Sequence, residues 1–339
     1  MKSSWLRVVA LCGAGMVAVS LLASSLVLLL RYSSLQESSV RMMGLAGMDA
    51  QLMLVSCAVA TFGAAITSGE TRRTLRSPFG LSVAGATLSW CLFFVVAAPA
   101  LSGWDALKGD PSASSFTLVV ENLWYRNEDP LNTADKVLAT RPQVLVLLEY
   151  TQAHADAFRE AGAFDTYGYR WERVEPYGHG IAVLSSIPFS HPVDLGLSGA
   201  GVRVKLALGD SAVELYALHF NAPTSIWDIP RWRSDFELST RLLQQSNPNT
   251  IVAGDLNATQ GHIRFRRLLE AARLKDAQDV GFAGFATTWP ASGPFPTLLR
   301  LDHILLGTGI CLDSFERLAP NGSDHRGLRA ELCLAQPAA

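Results

Sequence analysis

Three long apolar stretches open the chain, and beyond them short apolar runs alternate with polar turns. Val8 to Leu30 is 23 consecutive uncharged, mostly apolar positions, and a helix of about 20 such residues spans the hydrocarbon core of a bilayer. A second stretch runs from Gly44 to Thr67 with Asp49 near its start, and a third, from Ser77 to Leu101, carries no charge. The pattern predicts three transmembrane helices within residues 1–101. Lys2 and Arg7 ahead of the first stretch, with Ala23-Ser24-Ser25 inside it, also fit a cleaved leader. Against that reading, the leucines continue to Leu30 and two more apolar stretches follow. An acid inside a span is a functional candidate, although Asp49 sits so near the start of its span that an interfacial position accounts for it.

After a linker at 102–115 rich in serine, glycine and proline, a different rhythm begins and runs from 116 to 337. Phe116–Glu121, Val144–Glu149, Ile181–Ser185, Val202–Leu208, Val213–His219, Thr250–Ala253, Leu301–Leu306 and Leu328–Leu334 read as strands. Thr133–Ala139, Pro230–Gln245 and Ile263–Ala272 read as helices, and Pro230–Gln245 has its apolar residues at helical spacing. Strands dominate, helices are interspersed, and no internal repeat is visible. This predicts an α+β domain in which sheets form a sandwich with helices outside it.

Composition agrees with a chain of two parts. A mean hydropathy of +0.21 is high for a soluble enzyme, whereas 17% charged residues is high for a protein lying wholly in a membrane. Residues 1–101 hold 7 basic and 3 acidic residues, leaving 21 basic and 27 acidic for the remainder. The second part is therefore mildly acidic, and charge lends no support to tight duplex-nucleic-acid binding. Lys2, Arg7, Arg72, Arg73 and Arg76 on one side outnumber Arg31, Arg41 and Lys108 on the other, which predicts a cytoplasmic N-terminus. Three crossings then put the second part outside the cytoplasm, in the periplasm if the cell is a bacterium with an inner membrane. Cys12, Cys57 and Cys91 fall in the apolar stretches; Cys311 and Cys333 do not, and an oxidising compartment would permit them to pair.

Acids, asparagines and histidines stand where the predicted strands end: Asn122, Glu149, His219, Asp255, Asn257, Asp302, Asp324 and His325. Strand ends can bring side chains together at one edge of a sheet. Oxygen-rich donors of this kind suit Mg²⁺ or Mn²⁺, and the lack of a Cys/His cluster argues against zinc.

These residues lie in motifs that resemble the endonuclease/exonuclease/phosphatase superfamily. Ile251–Ala258 (IVAGDLNA) resembles its GDFN motif. Leu118–Asn122, Leu145–Glu149, Gly180–Pro188, Leu218-His219, Arg300–Leu305 (RLDHIL) and Gly322–His325 (GSDH) follow the family order. The resemblance covers about 115–335 and implies a DNase I-like four-layer α/β/β/α sandwich, here preceded by three transmembrane helices as in the bacterial membrane-anchored branch. It implies a metal-dependent hydrolase of phosphate esters. Glu149 would hold the metal, with Asn122 and Asp324 as further ligands or groups that orient them. Asp255 and Asn257 would contact the attacking water and the phosphate. His325 would be general base or would polarise the phosphate, Asp302 would orient it, and His219 would stabilise the phosphate or assist the leaving oxygen.

Two departures from the family pattern are visible. Leu148 replaces a common glutamine and Gly327 a common proline. Trp289 and Arg300 are candidates for lining the substrate cleft, with an edge-packing tryptophan as the alternative; His179 reads as structural, and Arg231 and Arg233, at a helix start, as a solvated face. The expected partners are a lipid bilayer and a phosphate ester, whether nucleic acid, lipid headgroup or small phosphoester; no protein partner is evident. The contrasting reading is a catalytically silent, membrane-tethered binding module. The resemblance further implies that the strand at Asp302–Leu306 and the terminal strand share a sheet, from which a Cys311–Cys333 bridge would follow if they pair antiparallel; two buried thiols remain the alternative.

Overall fold

The structure, a computed structural model, describes residues 2–67, 78–101, 115–280, 286–292, 296–320 and 322–335. Arg72, Arg73, Arg76 and Lys108, and the expected linker apart from Ser115, lie outside the described residues. Two compact units are distinguished: Met1–Pro99 with Gln260–Ile263, and Ala100–Thr259 with Arg264–Ala339.

The first unit contains α1 (Lys2–Tyr32), a 3₁₀ turn (Ser34–Glu37), α2 (Val40–Gly47), α3 (Asp49–Thr67) and α4 (Pro78–Leu101). Three of these are long and apolar enough to cross a membrane: Val8–Tyr32, Asp49–Thr67 and Phe79–Ala97. The second begins at Asp49, not at Gly44 as the apolar pattern suggested. Gly44 and Gly47 weaken the helix, Met48 leaves helical geometry at φ −101° and ψ 20°, and the Asp49 carboxylate accepts the Ala50 N–H at 2.7 Å. Asp49 is also buried in an ion pair with Arg31. Close approach of α1 and α3 needs small residues. A Cβ on Gly13 would lie 2.5 Å from the Gly63 carbonyl oxygen, so the two backbones touch there. Ser56 Oγ donates to the Ser20 carbonyl (2.7 Å) and meets Ser24 Oγ at 2.9 Å, so buried hydroxyls join the helices as well.

The second unit begins with β1 (Ser115–Asn122), α5 (Pro130–Ala139), β2 (Val144–Leu148), α6 (Gln152–Glu160), α7 (Ala163–Thr166), β3 (Tyr169–Arg173) and β4 (Ile181–Ser185). It continues through β5 (Phe189–Asp194), β6 (Ala200–Leu208), β7 (Ser211–His219), α8 (Ile229–Leu243), β8 (Thr250–Asp255), α9 (Ile263–Ala272), β9 (Lys275–Asp276) and α10 (Ala277–Val280). The chain ends in β10 (Asp302–Leu306), β11 (Ile310–Arg317) and β12 (Leu328–Leu334). The strands form two six-stranded sheets, β11-β12-β1-β2-β4-β3 and β5-β6-β7-β8-β10-β9. One parallel pair lies inside each sheet, β1/β2 and β7/β8.

Alternation along the strands explains the layers. Leu118, Val120, Val144 and Val146 from one sheet meet Val202, Val204, Leu215 and Ile251 from the other in a single core. Val119, Leu145 and Leu147 point the other way and pack on Val137 of α5 and Phe158 of α6. Trp232 and Phe236 of α8 stack edge to face, and Phe236 meets Phe220 beyond β7. Helices thus flank a two-sheet sandwich, as expected.

The strands that sequence pattern does not reveal are β3, β5, β9 and β11. β3 and β5 are edge strands, polar and largely exposed, and β5 carries Pro192, as edges tolerate. In β11 the register shifts between Leu312 and Ser314, which breaks the period-two signal. β11 also corrects the implied sheet: Asp302–Leu306 belongs to one sheet and Leu328–Leu334 to the other. The Cys311–Cys333 disulfide is formed all the same, between β11 and β12, where the two cysteines are directly opposite with Cα atoms 5.0 Å apart.

Candidate active site

Strand register assembles the site. His219 is the parallel partner of Asp255 across β7/β8, and Asp255 is the antiparallel partner of Asp302 across β8/β10. Three strands therefore present a histidine and two acids in a row at one sheet edge. From the other sheet, Asn122 ends β1 beside Leu148, the last residue of β2, and Glu149 follows. Gly254 is required by close packing: a Cβ there would lie 1.7 Å from the Leu218 carbonyl oxygen of β7.

Side-chain contacts join the two halves. The Asn122 amide donates to Glu149 Oε1 (3.2 Å) and Asp255 Oδ2 (3.1 Å), so it acts as an orienting donor between the two acids. Its carbonyl oxygen accepts the Trp124 N–H (3.0 Å). Glu149 Oε2 accepts the Tyr125 N–H at 2.8 Å. His219 Nε2 lies 4.0 Å from Glu149 Oε1 and 3.8 Å from Asp255 Oδ2. His325 Nδ1 bonds Asp302 Oδ2 at 2.8 Å, and His325 Nε2 is 3.8 Å from Asp255 Oδ2. Asp255 Oδ1 accepts the Asn257 N–H (2.8 Å), while the Asn257 amide donates to the Phe220 carbonyl (2.9 Å). Glu149 and Asn257 both hold left-handed backbone, at φ 55° and 47°, which costs about 1–3 kcal/mol each and clusters at functional sites.

The loop bearing Asp324 and His325 is anchored to β1. Ser323 Oγ donates to the Asn122 carbonyl (2.6 Å) and accepts the His325 N–H (3.0 Å). Asp324 Oδ2 accepts from Trp289 Nε1 at 3.2 Å, which brings Trp289 into the cluster. Arg300 is turned to Asp279 in a buried ion pair (2.8 Å). Of the residues expected at the site, Asn122, Glu149, His219, Asp255, Asn257, Asp302, Asp324, His325 and Trp289 are thus linked by contacts, and Arg300 is held beside Asp279.

Burial and neighbouring charge separate the two imidazoles. Burial, then the positive neighbours His325 and His179, lowers His219 to about 4. Burial also opposes charge on His325, but Asp302, through charge and hydrogen bond, with Asp255 and Asp324, outweighs it and raises the ring to about 10. Asp255 is pushed up to about 8 by burial and then by Asp302. Asp324 is also raised, by burial first. Carboxylates crowded to this degree gain from a cation. The donor oxygens of Glu149, Asp255, Asp302 and Asp324 suit a hard divalent ion, and ligand atoms of Asp255, Asp302 and His325 lie within 4.8 Å of one another. The residues present fit such a metal.

Sequence reasoning missed several contributors. His179, read as structural, is near enough to His219 to depress it. Tyr125 holds Glu149 through its backbone, and its ring meets the exposed Tyr177 at 6.3 Å. Asp235 of α8 is buried and accepts from Ser198, Gly199 and Asn221, bracing the segment after His219. Glu121 is fully buried, with its carboxyl raised well above the ordinary range by burial and then by Asp302. None of these has a local signal, because each role depends on a partner distant in sequence.

No curated protein matches this chain. Among solved structures, an endonuclease/exonuclease/phosphatase family protein from Bacteroides thetaiotaomicron aligns with TM-score 0.54 at 14% identity, over 67% of this chain and 100% of that one. TDP2 from D. rerio, solved with a single-strand DNA product, aligns with TM-score 0.53 at 15% identity, over 65% and 99%. An endonuclease/exonuclease/phosphatase from Beutenbergia cavernae aligns with TM-score 0.51 at 18% identity, over 67% and 73%. At these identities the likeness establishes the shared fold. The Endonuclease/Exonuclease/phosphatase family profile matches residues 122–325, more than half the chain, running from the asparagine that ends β1 to the histidine bonded to Asp302. The chain belongs to that family.

Proposed function

We propose that this protein is a membrane-tethered phosphoesterase, dependent on Mg²⁺ or Mn²⁺, that hydrolyses a phosphate ester with an activated water. In this reading residues 1–101 are the anchor, 102–115 the linker and 116–337 the catalytic domain. The observation that carries it is the meeting of Glu149, Asp255 and Asp302, drawn from two sheets, with two imidazoles of opposite protonation preference. A divalent ion at Glu149, with Asn122 and Asp324 beside it, would stabilise charge developing on the phosphate oxygens.

The chain's own groups supply the rest. Asp302 fixes the proton of His325 on Nδ1 and leaves Nε2 to exchange a proton with water or phosphate. His219, neutral at pH 7, offers a hydrogen bond where a leaving oxygen emerges without adding charge. Asn257, already tied to Phe220, has its second amide hydrogen for a phosphate oxygen, and a preorganised donor of this kind stabilises the transition state. The Cys311–Cys333 bridge accords with a domain outside the cytoplasm.

Hydrolysis of bis-p-nitrophenyl phosphate by the full chain in detergent tests the proposal. Activity should vanish with chelator and return with Mg²⁺ or Mn²⁺. Chelator-resistant turnover would overturn the metal mechanism. A panel of DNA, RNA, sphingomyelin and inositol phosphates then identifies the substrate class, and no turnover on any of them would leave the binding-module reading.

A further inference from the structure

Glu121 immediately precedes Asn122 in β1 and has no solvent exposure. Neither carboxyl oxygen has a hydrogen-bond partner among the described residues. Its neighbour across β1/β12 is Gly327, one position beyond the Val120–Leu328 pair. A Cβ built on Gly327 would lie 1.7 Å from Glu121 Oε2 and 2.8 Å from its Cδ. The carboxyl thus fills the space that a side chain at 327 would take. Gly327 does not have a positive φ, so backbone freedom does not require glycine there. What glycine provides at 327 is room.

That room lies at one end of the loop that carries the catalytic histidine. Ser323, at the other end, is seated on the Asn122 carbonyl. Between these two seats, Arg326 N–H donates to the Thr288 carbonyl (3.0 Å), and the Gly327 carbonyl accepts the Leu318 N–H (2.8 Å). The last two residues of β1 therefore meet the loop twice, at Ser323 and at Gly327, and Asp324 and His325 lie between. Enlarging residue 327 would push against a buried carboxyl with no solvent to swing into, and the loop would have to yield.

We infer that Glu121 is a positioning residue: its carboxyl, lodged in the space left by Gly327, fixes the loop that presents Asp324 and His325 against the end of β1. The inference rests on the phosphoesterase reading. It differs from ordinary burial because it couples Glu121 to Gly327 and, through the loop, to turnover.

The test is a double-mutant cycle on the full chain in detergent, with kcat and KM for bis-p-nitrophenyl phosphate measured in Mg²⁺ and in Mn²⁺. Gly327→Ala should lower kcat about tenfold or more, since small misplacements of a catalytic group are costly, while KM changes by less than about threefold. Glu121→Gln, which keeps the shape, should retain most of kcat. In a Glu121→Ala background, Gly327→Ala should cost less than about threefold, because the methyl then has space; such non-additivity marks residues in contact. Multiplying losses, or wild-type kcat in Gly327→Ala, would overturn the inference. Melting of the same four proteins gives a readout free of catalysis. If the wild type hydrolyses nothing, the phosphoesterase reading fails, while a non-additive melting cycle would still show Glu121 and Gly327 coupled.

Discussion

Asp255 and Asp302 are directly opposite each other across the β8/β10 ladder, each 1% exposed. Two buried acids side by side raise the free energy of the charged pair unless protons or cations compensate. His325 supplies part of that compensation, bonded to Asp302 and 3.8 Å from Asp255.

Asp255 carries a stability cost alongside the catalytic role proposed for it. Its folded value of about 8 is above the ordinary 3.8, so in chelator the folded state loses stability as pH rises from about 4 to 8. Asp255→Asn should therefore raise the melting temperature of metal-free protein at pH 8 while lowering kcat by about a hundredfold or more. Divalent ion should raise the wild-type melting temperature at that pH. A lower melting temperature for Asp255→Asn in chelator would contradict the electrostatic account.

For His325 the folded value of about 10 exceeds the ordinary 6.5. Its stabilising contribution is present below pH 6.5 and is lost as pH rises through 10. His325→Gln should flatten the decline of stability between those limits in metal-free protein. His325→Gln and Asp302→Asn should each lower kcat by about a hundredfold or more, since the carboxylate sets the ring's tautomer and orientation. Near-normal turnover in either would remove the pair from the mechanism.

Reducing Cys311–Cys333 opens a loop with a sequence separation of 22 that contains Asp324 and His325. A loop of that size is worth about 3 kcal/mol in the chain-entropy account, or roughly 6–12 °C in melting temperature for a domain this large. Activity should decline at temperatures below the melting of the reduced domain. Mass spectrometry after non-reducing alkylation checks the bond: two labelled thiols in protein taken from membranes would refute it, together with the expectation of an oxidising compartment.

The basic cluster Arg72, Arg73 and Arg76 should hold its loop in the cytoplasm. Reporter fusions at residue 74 and at the C-terminus are expected on opposite sides of the membrane. Finding both on one side would sink the three-span arrangement.

Local pattern alone determined much of this protein. Uninterrupted apolar length marks the three long helices, and fully buried runs such as Val144–Leu148 mark central strands whose ends carry Glu149 and Asp255. Those signals are local because spanning a bilayer or crossing a core restricts each residue by its own chemistry. Tertiary structure decided the rest. Met48 and the Arg31–Asp49 pair set the start of the second apolar helix, and a register shift in β11 concealed the strand that bonds Cys333. Only sheet register puts His219, Asp255 and Asp302 in one row and sets Glu121 against a glycine 206 positions away, while a buried ion pair with Asp279 of α10 turns Arg300 aside. Register and burial are properties of pairs far apart in the chain, joined only when the sheets close, and so no local pattern could reveal them.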